Sequence, residues 1–428
     1  MAKLFHGRAV RLIPHCGWCG GLITKDFLFK GYDARFKVIF FGRLFAAMAW
    51  ALSMPFLALY MSGTLGIDAV SVTSAYTFAA LSGALTQIVA GELADKIGRR
   101  FTMLLSMSAR VVVFVLIALA VEYGWGFAAL ALLMIASSIT GNMFHPAANA
   151  MITDIVPFNK RVEGFSLSRV GINIGWAAGP AFGGLSTEFV SYSFTFLLTS
   201  LLSAIVFVLI FAYAKETAPT DAVKKFKFSD VLEIRKDRNF VIYSLFTIFA
   251  SVIAMQMVST FSIYTDRYTN ITEAQLGILF ALNGVLVVFF QFPISRALSS
   301  FRLTTLLALG TLLYCIGYMS TAFMTTFEPL LLAMTIVTLG EIVSSPPAMA
   351  LVGNMAPQRR RGEYMGVYGL FESVGGSFGP LIGGISLDAF PSQPILIWTI
   401  PSLFGFVAVA GYFYLGKKLK KDIDSCSL

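Results

Sequence analysis

Residues 146–184 read PAANAMITDIVPFNKRVEGFSLSRVGINIGWAAGPAFGG, and residues 346–384 read PPAMALVGNMAPQRRRGEYMGVYGLFESVGGSFGPLIGG. The offset is 200 residues without a gap. Pro146, Ala148, Ala150, Pro157, Arg161, Glu163, Gly175, Gly179, Pro180, Gly183 and Gly184 all recur at their own number plus 200. Most of these letters are Pro, Gly or charge, which fix backbone geometry and helix ends; shared apolar letters would recur by chance in an apolar chain. The repeat implies two like halves in the same orientation.

Composition sets the solvent. Of 428 residues, 57% are hydrophobic and only 13% charged, with a mean hydropathy of +0.77. A soluble domain carries about 25% charged residues, so this is the composition of a multi-span membrane protein. Cys315 falls in an apolar stretch and Cys426 near the C-terminus, which leaves no disulfide framework. Residues 1–35 are basic and Gly-rich, without the apolar run of a signal peptide. They read as a cytoplasmic N-terminal extension. Its Cys16-Gly-Trp-Cys19, beside His15, lacks the two further ligands of a metal site and the context of a redox motif, so neither metal nor cofactor is expected.

Twelve apolar stretches follow, each long enough for ~20 helical residues to cross a ~30 Å hydrocarbon core. They cover 36–62, 70–92, 100–122, 126–153, 163–187, 192–214, 239–263, 273–296, 303–325, 329–356, 363–388 and 393–416. The fold class is therefore all-α: twelve transmembrane helices in two pseudo-symmetric six-helix bundles, 36–214 and 239–416. A polar, basic central loop, 215–238, joins them, and a basic tail, 417–428, ends the chain. Of the 32 Lys and Arg, Arg43, Arg110 and Arg169 lie within spans and only Arg267 lies in a connection on the side opposite the termini. That asymmetry places both termini in the cytoplasm. It also excludes a nucleic-acid partner, because the charge is spread over every cytoplasmic connection.

The connection after the second span reads Gly91-Glu-Leu-Ala-Asp95-Lys-Ile-Gly98-Arg99-Arg100. It resembles the G-x-L-x-D-x-x-G-R-[RK] loop signature of the major facilitator superfamily. Gly175, Gly179, Pro180, Gly183 and Gly184 in span five resemble the signature of that superfamily's proton-driven antiporters, often drug exporters; Gly375, Gly379, Pro380, Gly383 and Gly384 repeat it in span eleven. The resemblance implies the two-bundle fold and a cytoplasmic gating latch built from Gly91, Asp95, Gly98, Arg99 and Arg100. In physical terms, Gly91 permits close helix approach and Gly98 a tight turn, while Asp95 accepts from helix N-terminal amides or pairs with Arg99 or Arg100. The equivalent stretch of the second half, Gln291 to Ser300, has lost the signature, so any latch is one-sided.

Polar residues within hydrocarbon mark function by default. Ser138, Asn142, His145 and Asn149 follow i, i+4, i+7, i+11, one helix face bordering water or a substrate path. In span five, Gly171, Gly175 and Gly179 form a packing ridge, and Arg169, Asn173 and Trp176 project from roughly the opposite face. Many exporters of the resembled branch carry an Arg in span four, four residues before a Gly; before Gly141 that place is Ser137, with Arg110 of span three as a substitute. Arg43, about two turns into span one, is expected to snorkel to the cytoplasmic surface. The second half holds the acids Glu341 and Glu372, and the neutral Gln256 and Asn283, which either line a cavity or bond neighbouring helices. Desolvation favours a protonated carboxyl at Glu341. Glu341, Glu372 and His145 are the proton-coupling candidates. Arg110, Arg169, Asn142, Asn149, Asn173 and Asn283 are the substrate-cavity candidates.

The function these features predict is secondary transport of a small organic molecule by alternating access in the plasma membrane. The resemblance adds proton-coupled efflux of drug-like compounds by a monomer, with protons as coupling ion. Uptake of an organic anion, drawn by Arg110, Arg169 and His145, is the rival. No Gly-x-x-x-x-Gly-Lys-[Ser/Thr] loop and no His-Glu-x-x-His constellation occurs, so the chain reads as no enzyme.

Overall fold

The computed structural model describes residues 32–157, 160–217, 234–357 and 360–425; Cys16 and Cys19, most of the central loop and Arg359 lie outside them. Twelve long helices run back and forth. They are α1 (Ala34–Leu59, continued by a π-turn, Tyr60–Thr64), α2 (Ala69–Ile97), α3 (Arg99–Glu122), α4 (Phe127–Ile155), α5 (Arg161–Phe189) and α6 (Tyr192–Tyr213). Then come α7 (Arg238–Ala254, continued by a π-turn, Met257–Phe261, and Ser262–Tyr268), α8 (Glu273–Ala297), α9 (Leu303–Thr321), α10 (Phe327–Met355), α11 (Arg361–Ala389) and α12 (Pro394–Lys418). Polar side chains start several of them. Asp33, Asp68, Ser191 and Asp237 each accept from an amide in the first turn of α1, α2, α6 and α7. Thr272 and Gln275 form a reciprocal capping box on α8.

Among the described residues, ten helices are long and apolar enough to cross a membrane. The other two, α5 and α11, are 29 residues each and carry the glycine signatures together with charge. The expected spans match the helices to within a few residues, with one informative exception. The signature decapeptide is not a loop: α2 runs on to Ile97, Gly98 alone makes the turn at φ +104°, and α3 starts at Arg99. A π-turn ends the first helix of the first half and interrupts that of the second, which periodicity in an apolar run does not reveal.

Lipid is as apolar as the side chains, so these helices hold together by close van der Waals contact rather than by exclusion of water. The glycine ridges supply it. A Cβ at Gly179 would meet Met48 O at 2.6 Å, and one at Gly175 would strike Leu44 O, so α5 lies backbone to backbone against α1. Gly379 sets α11 against the Val252 backbone of α7 in the same way, and Gly383 makes room for the side chains of Gln256 and Thr260. Gly91, by contrast, has open space around it; the close approach expected there is absent in this conformation. Gly175→Ala is therefore expected to cost about 1–3 kcal/mol through a clash that backbone cannot relieve. Gly91→Ala is expected to leave the thermal midpoint of the purified protein unchanged or slightly raised.

Gly184 and Gly384 do something the repeat did not foretell: they sit between the halves. Gly184 packs on Glu273 and Ala274 of α8, and Gly384 on Ala69 and Thr73 of α2. The α5–α8 and α2–α11 contacts are extensive and lie toward one end of the molecule, the end opposite both termini. There Glu188, at the end of α5, accepts from Ala274 N at 2.9 Å, and Tyr192 donates to Glu273 at 3.0 Å. Asp388, at the end of α11, accepts from Val70 N at 2.7 Å and pairs with Arg267 at 3.0 Å; Arg267 also reaches Ser62 across the divide at 3.2 Å. The positions 188 and 388 are themselves related by the 200-residue repeat. Each half thus caps a helix of the other with a carboxylate. Toward the other end, Gly91, Gly366 and Gly369 meet nothing.

Candidate functional site

The signature residues gather at the end that holds the termini. Arg99 is buried and lies 2.7 Å from Asp154 of α4 and 3.4 Å from Asp95. Of the two roles expected for Asp95, the structure shows the pairing with Arg99 and not the capping of helix amides. Glu216, just past α6, accepts from Arg99 N at 2.9 Å and from Arg100 N at 3.1 Å, beside the turn at Gly98. Arg100 instead donates to Phe211 O at 2.8 Å. The acid at the start of α3 was missed because it lies 117 residues away in the chain; only its place directly after an apolar stretch hinted at it. Glu216→Ala is expected to lower stability by about 0.5–2 kcal/mol, the usual cost of a lost cap, read as a fall in the thermal midpoint.

The polar interior of the first half forms around α4. Asn142 accepts from Gln87 of α2 at 2.7 Å and packs with Ser138 over Gly83, so this part of the stripe joins helices. His145 and Asn149 are exposed, facing open space. Arg43 does not snorkel. Only 6% exposed, it donates to Ser168 at 2.9 Å, to His145 O at 3.5 Å and to Asn149 Oδ1, tying α1 to α4 and α5. Enough acceptors lie within reach to make the interior better solvated for this guanidinium than lipid. Arg110 reaches from α3 to α4, its Nη1 2.9 Å from where a Cβ at Gly141 would stand. Arg169 is exposed and Asn173 half-buried on the face of α5 away from the ridge, with Trp176 against Trp50 at 5.0 Å.

In the second half Asn283 of α8, 5% exposed, donates to Glu341 Oε2 at 2.9 Å and to Thr338 at 3.1 Å. The two candidates, 58 residues apart, are one hydrogen-bonded unit. Gln256 is structural: it donates to Val252 O at 2.6 Å and Gly379 O at 2.9 Å, locking α7 to α11. Glu372 lies on the α7 side of α11, as the glycine spacing implied, among Tyr243, Tyr368 and Tyr412. Arg169 of the first half is close enough to act electrostatically on both Glu341 and Glu372. The arrangement is a set of cations in the first half and two acids in the second, with Arg169 facing both acids.

Apolar helices packed in this way, with ionisable groups at mid-depth, define a multi-pass membrane transporter. The sequence profile of the Major Facilitator Superfamily matches residues 39–268 and 245–425, and the chain belongs to that family as a secondary transporter. It is 25% identical to a "Na(+), Li(+), K(+)/H(+) antiporter" of Planococcus maritimus, over 90% of this chain and 96% of that one. It is 23% identical to the "Quinolone resistance protein NorA" of Staphylococcus aureus (strain N315), over 87% and 95%. Its fold resembles that of a POT family transporter in complex with 5-aminolevulinic acid, with a TM-score of 0.74 at 16% identity over 91% of this chain and 96% of the other. It equally resembles an inward-facing, unoccupied bacterial homologue of the lysosomal transporter Spinster, with a TM-score of 0.74 at 17% identity over 91% and 98%.

Proposed function

We propose that the chain is a twelve-span, proton-coupled exporter of drug-like organic molecules in the plasma membrane. Two six-helix bundles, α1–α6 and α7–α12, rock about a midplane site, with both termini cytoplasmic. The observation that carries this reading is the Asn283–Glu341 unit, a half-buried carboxylate at mid-depth, hydrogen-bonded on one side and within the field of Arg169 on the other. A proton on Glu341 removes its attraction to Arg169, and that attraction links the two halves. Proton occupancy therefore biases which way the site opens. The trans caps at Glu188 and Asp388 support an outer gate that is closed here, and Gly98 with Arg99 and Glu216 supports a cytoplasmic hinge. The names of the antiporter and drug-resistance relatives point to the same class.

A second reading, exchange of alkali cations for protons, is favoured by the Planococcus relative, which aligns over nearly its whole length. Sealed liposomes containing the purified protein and an internal pH dye separate the two. Proton flux triggered by organic cations supports the exporter. Flux triggered by Na⁺, Li⁺ or K⁺ alone supports the cation exchanger. Proton-independent movement of organic anions overturns both.

A further inference from the structure

Among the described residues, Arg110 is a buried cation with no charged counterpart. Its side chain is 4% exposed, its Nε has no hydrogen-bond partner, and no ion pair or hydrogen bond holds its guanidinium among the described residues. The neighbouring hydroxyls are already committed to helix carbonyls: Ser106 donates to Thr140 O at 2.6 Å and Ser137 to Met134 O at 2.9 Å. The carboxylates of α1–α6 all sit in the first or last two turns of their helices, far from mid-depth. Arg43 and Arg169 differ, the first through its three acceptors on α4 and α5, the second through Glu341 and Glu372. Phe114 lies under the Arg110 guanidinium at 5.4 Å, on one face only. On another side, Gly141 withholds a side chain where a Cβ would stand 2.9 Å from Nη1.

A desolvated guanidinium demands an anion, and its planar fork matches a carboxylate bidentately. We propose that Arg110, its guanidinium packed on Gly141, forms an anion seat that receives the carboxylate of the transported molecule, next to His145. The cargo is then an organic acid or a zwitterion, its acid group held by the first half and any ammonium group facing Glu341 and Glu372 of the second. This deepens the transporter reading and rests on it. It predicts selectivity among drug-like molecules for those that carry an acid.

Thermal unfolding of the full chain in nanodiscs, with benzoate and benzamide as probes at constant chloride, tests the seat. Benzoate is expected to raise the midpoint of the wild type and benzamide to leave it unmoved. Arg110→Met removes the charge without leaving a polar group unsatisfied, and it is expected to abolish the benzoate shift. Gly141→Ala keeps the charge but pushes the guanidinium off its place; it is expected to weaken benzoate about 10- to 100-fold, the loss of a charge-assisted hydrogen bond or two. A wild type that responds alike to both probes overturns the proposal, as does a benzoate shift that survives both substitutions. In proteoliposomes, Arg110→Met is expected to slow a carboxyrhodamine dye while sparing its methyl ester; equal losses for both dyes would mean a structural role. A seat that binds benzoate in a protein that moves neither dye would overturn the exporter reading and leave the seat standing.

Discussion

Glu341→Gln is expected to abolish substrate-driven proton flux in proteoliposomes while leaving the protein folded and able to bind cargo. Gln has nearly the same shape as Glu and can still accept from Asn283, whose donation at 2.9 Å holds the side chain in place. What the substitution removes is the charge that alternates with proton binding, and with it the attraction to Arg169 across the halves. Couplings between ligands typically amount to about 1–3 kcal/mol, or ~5–150-fold in affinity. The proton dependence of substrate affinity, read by titrating substrate at two pH values, is therefore expected to collapse from that range to about unity. Transport driven by the substrate gradient alone is expected to survive. If the pH dependence persists in Glu341→Gln, the proton resides elsewhere, and Glu372→Gln is the next variant to measure.

The paired substitution Glu188→Gln with Asp388→Asn is expected to open the end of the molecule opposite the termini. Each carboxylate holds an N-terminal amide of the other half, Ala274 N at 2.9 Å and Val70 N at 2.7 Å. An amide side chain still accepts a hydrogen bond but loses the charge–dipole attraction, worth about 0.3–1 kcal/mol per helix and up to ~2 kcal/mol when partly buried. For Asp388 the pair with Arg267 is lost as well. Because both caps act on one equilibrium their losses add, and the population facing away from the termini is expected to rise by about tenfold or more. Spin labels at Val190 and Ser392, exposed positions in the two halves, report it in a background without the native cysteines. A distance distribution that shifts to longer values supports the gate. An unchanged distribution assigns the closure to Gly184 and Gly384 packing alone.

How much of this was legible in the chain differs from residue to residue. The repeat, the helix spans and the ridges at Gly175 and Gly379 were written in spacing and composition, since a bilayer permits few alternatives to a spanning helix. Membership of the family was carried by the decapeptide ending at Arg100 and by the span-five glycines. Arg43 was misjudged because position along a helix gives depth but not facing: near a helix end, snorkelling and burial against α4 look the same until Ser168 and Asn149 are placed. For Asp95 the sequence left open whether it caps amides or pairs with Arg99; it pairs, and Glu216 takes the amides, because a cap between distant segments leaves no trace in local sequence. Gly184 and Gly384 were read only as part of the glycine signature, yet they face the other half, a distinction that rests on helix rotation.

The sequence by itself determined the class of the protein: an all-helical, membrane-embedded chain built twice over, with cations in one half and acids in the other. Hydrophobic length, charge bias and glycine spacing act locally along each helix, and each helix inserts largely on its own terms. Only the tertiary structure decided which polar groups meet. It joined Asn283 to Glu341, gave Arg43 three acceptors and Arg110 none, and closed the far end with Glu188 and Asp388. Those pairings depend on the rotation and depth of one helix against another, and small glycine contacts spread over distant segments set both.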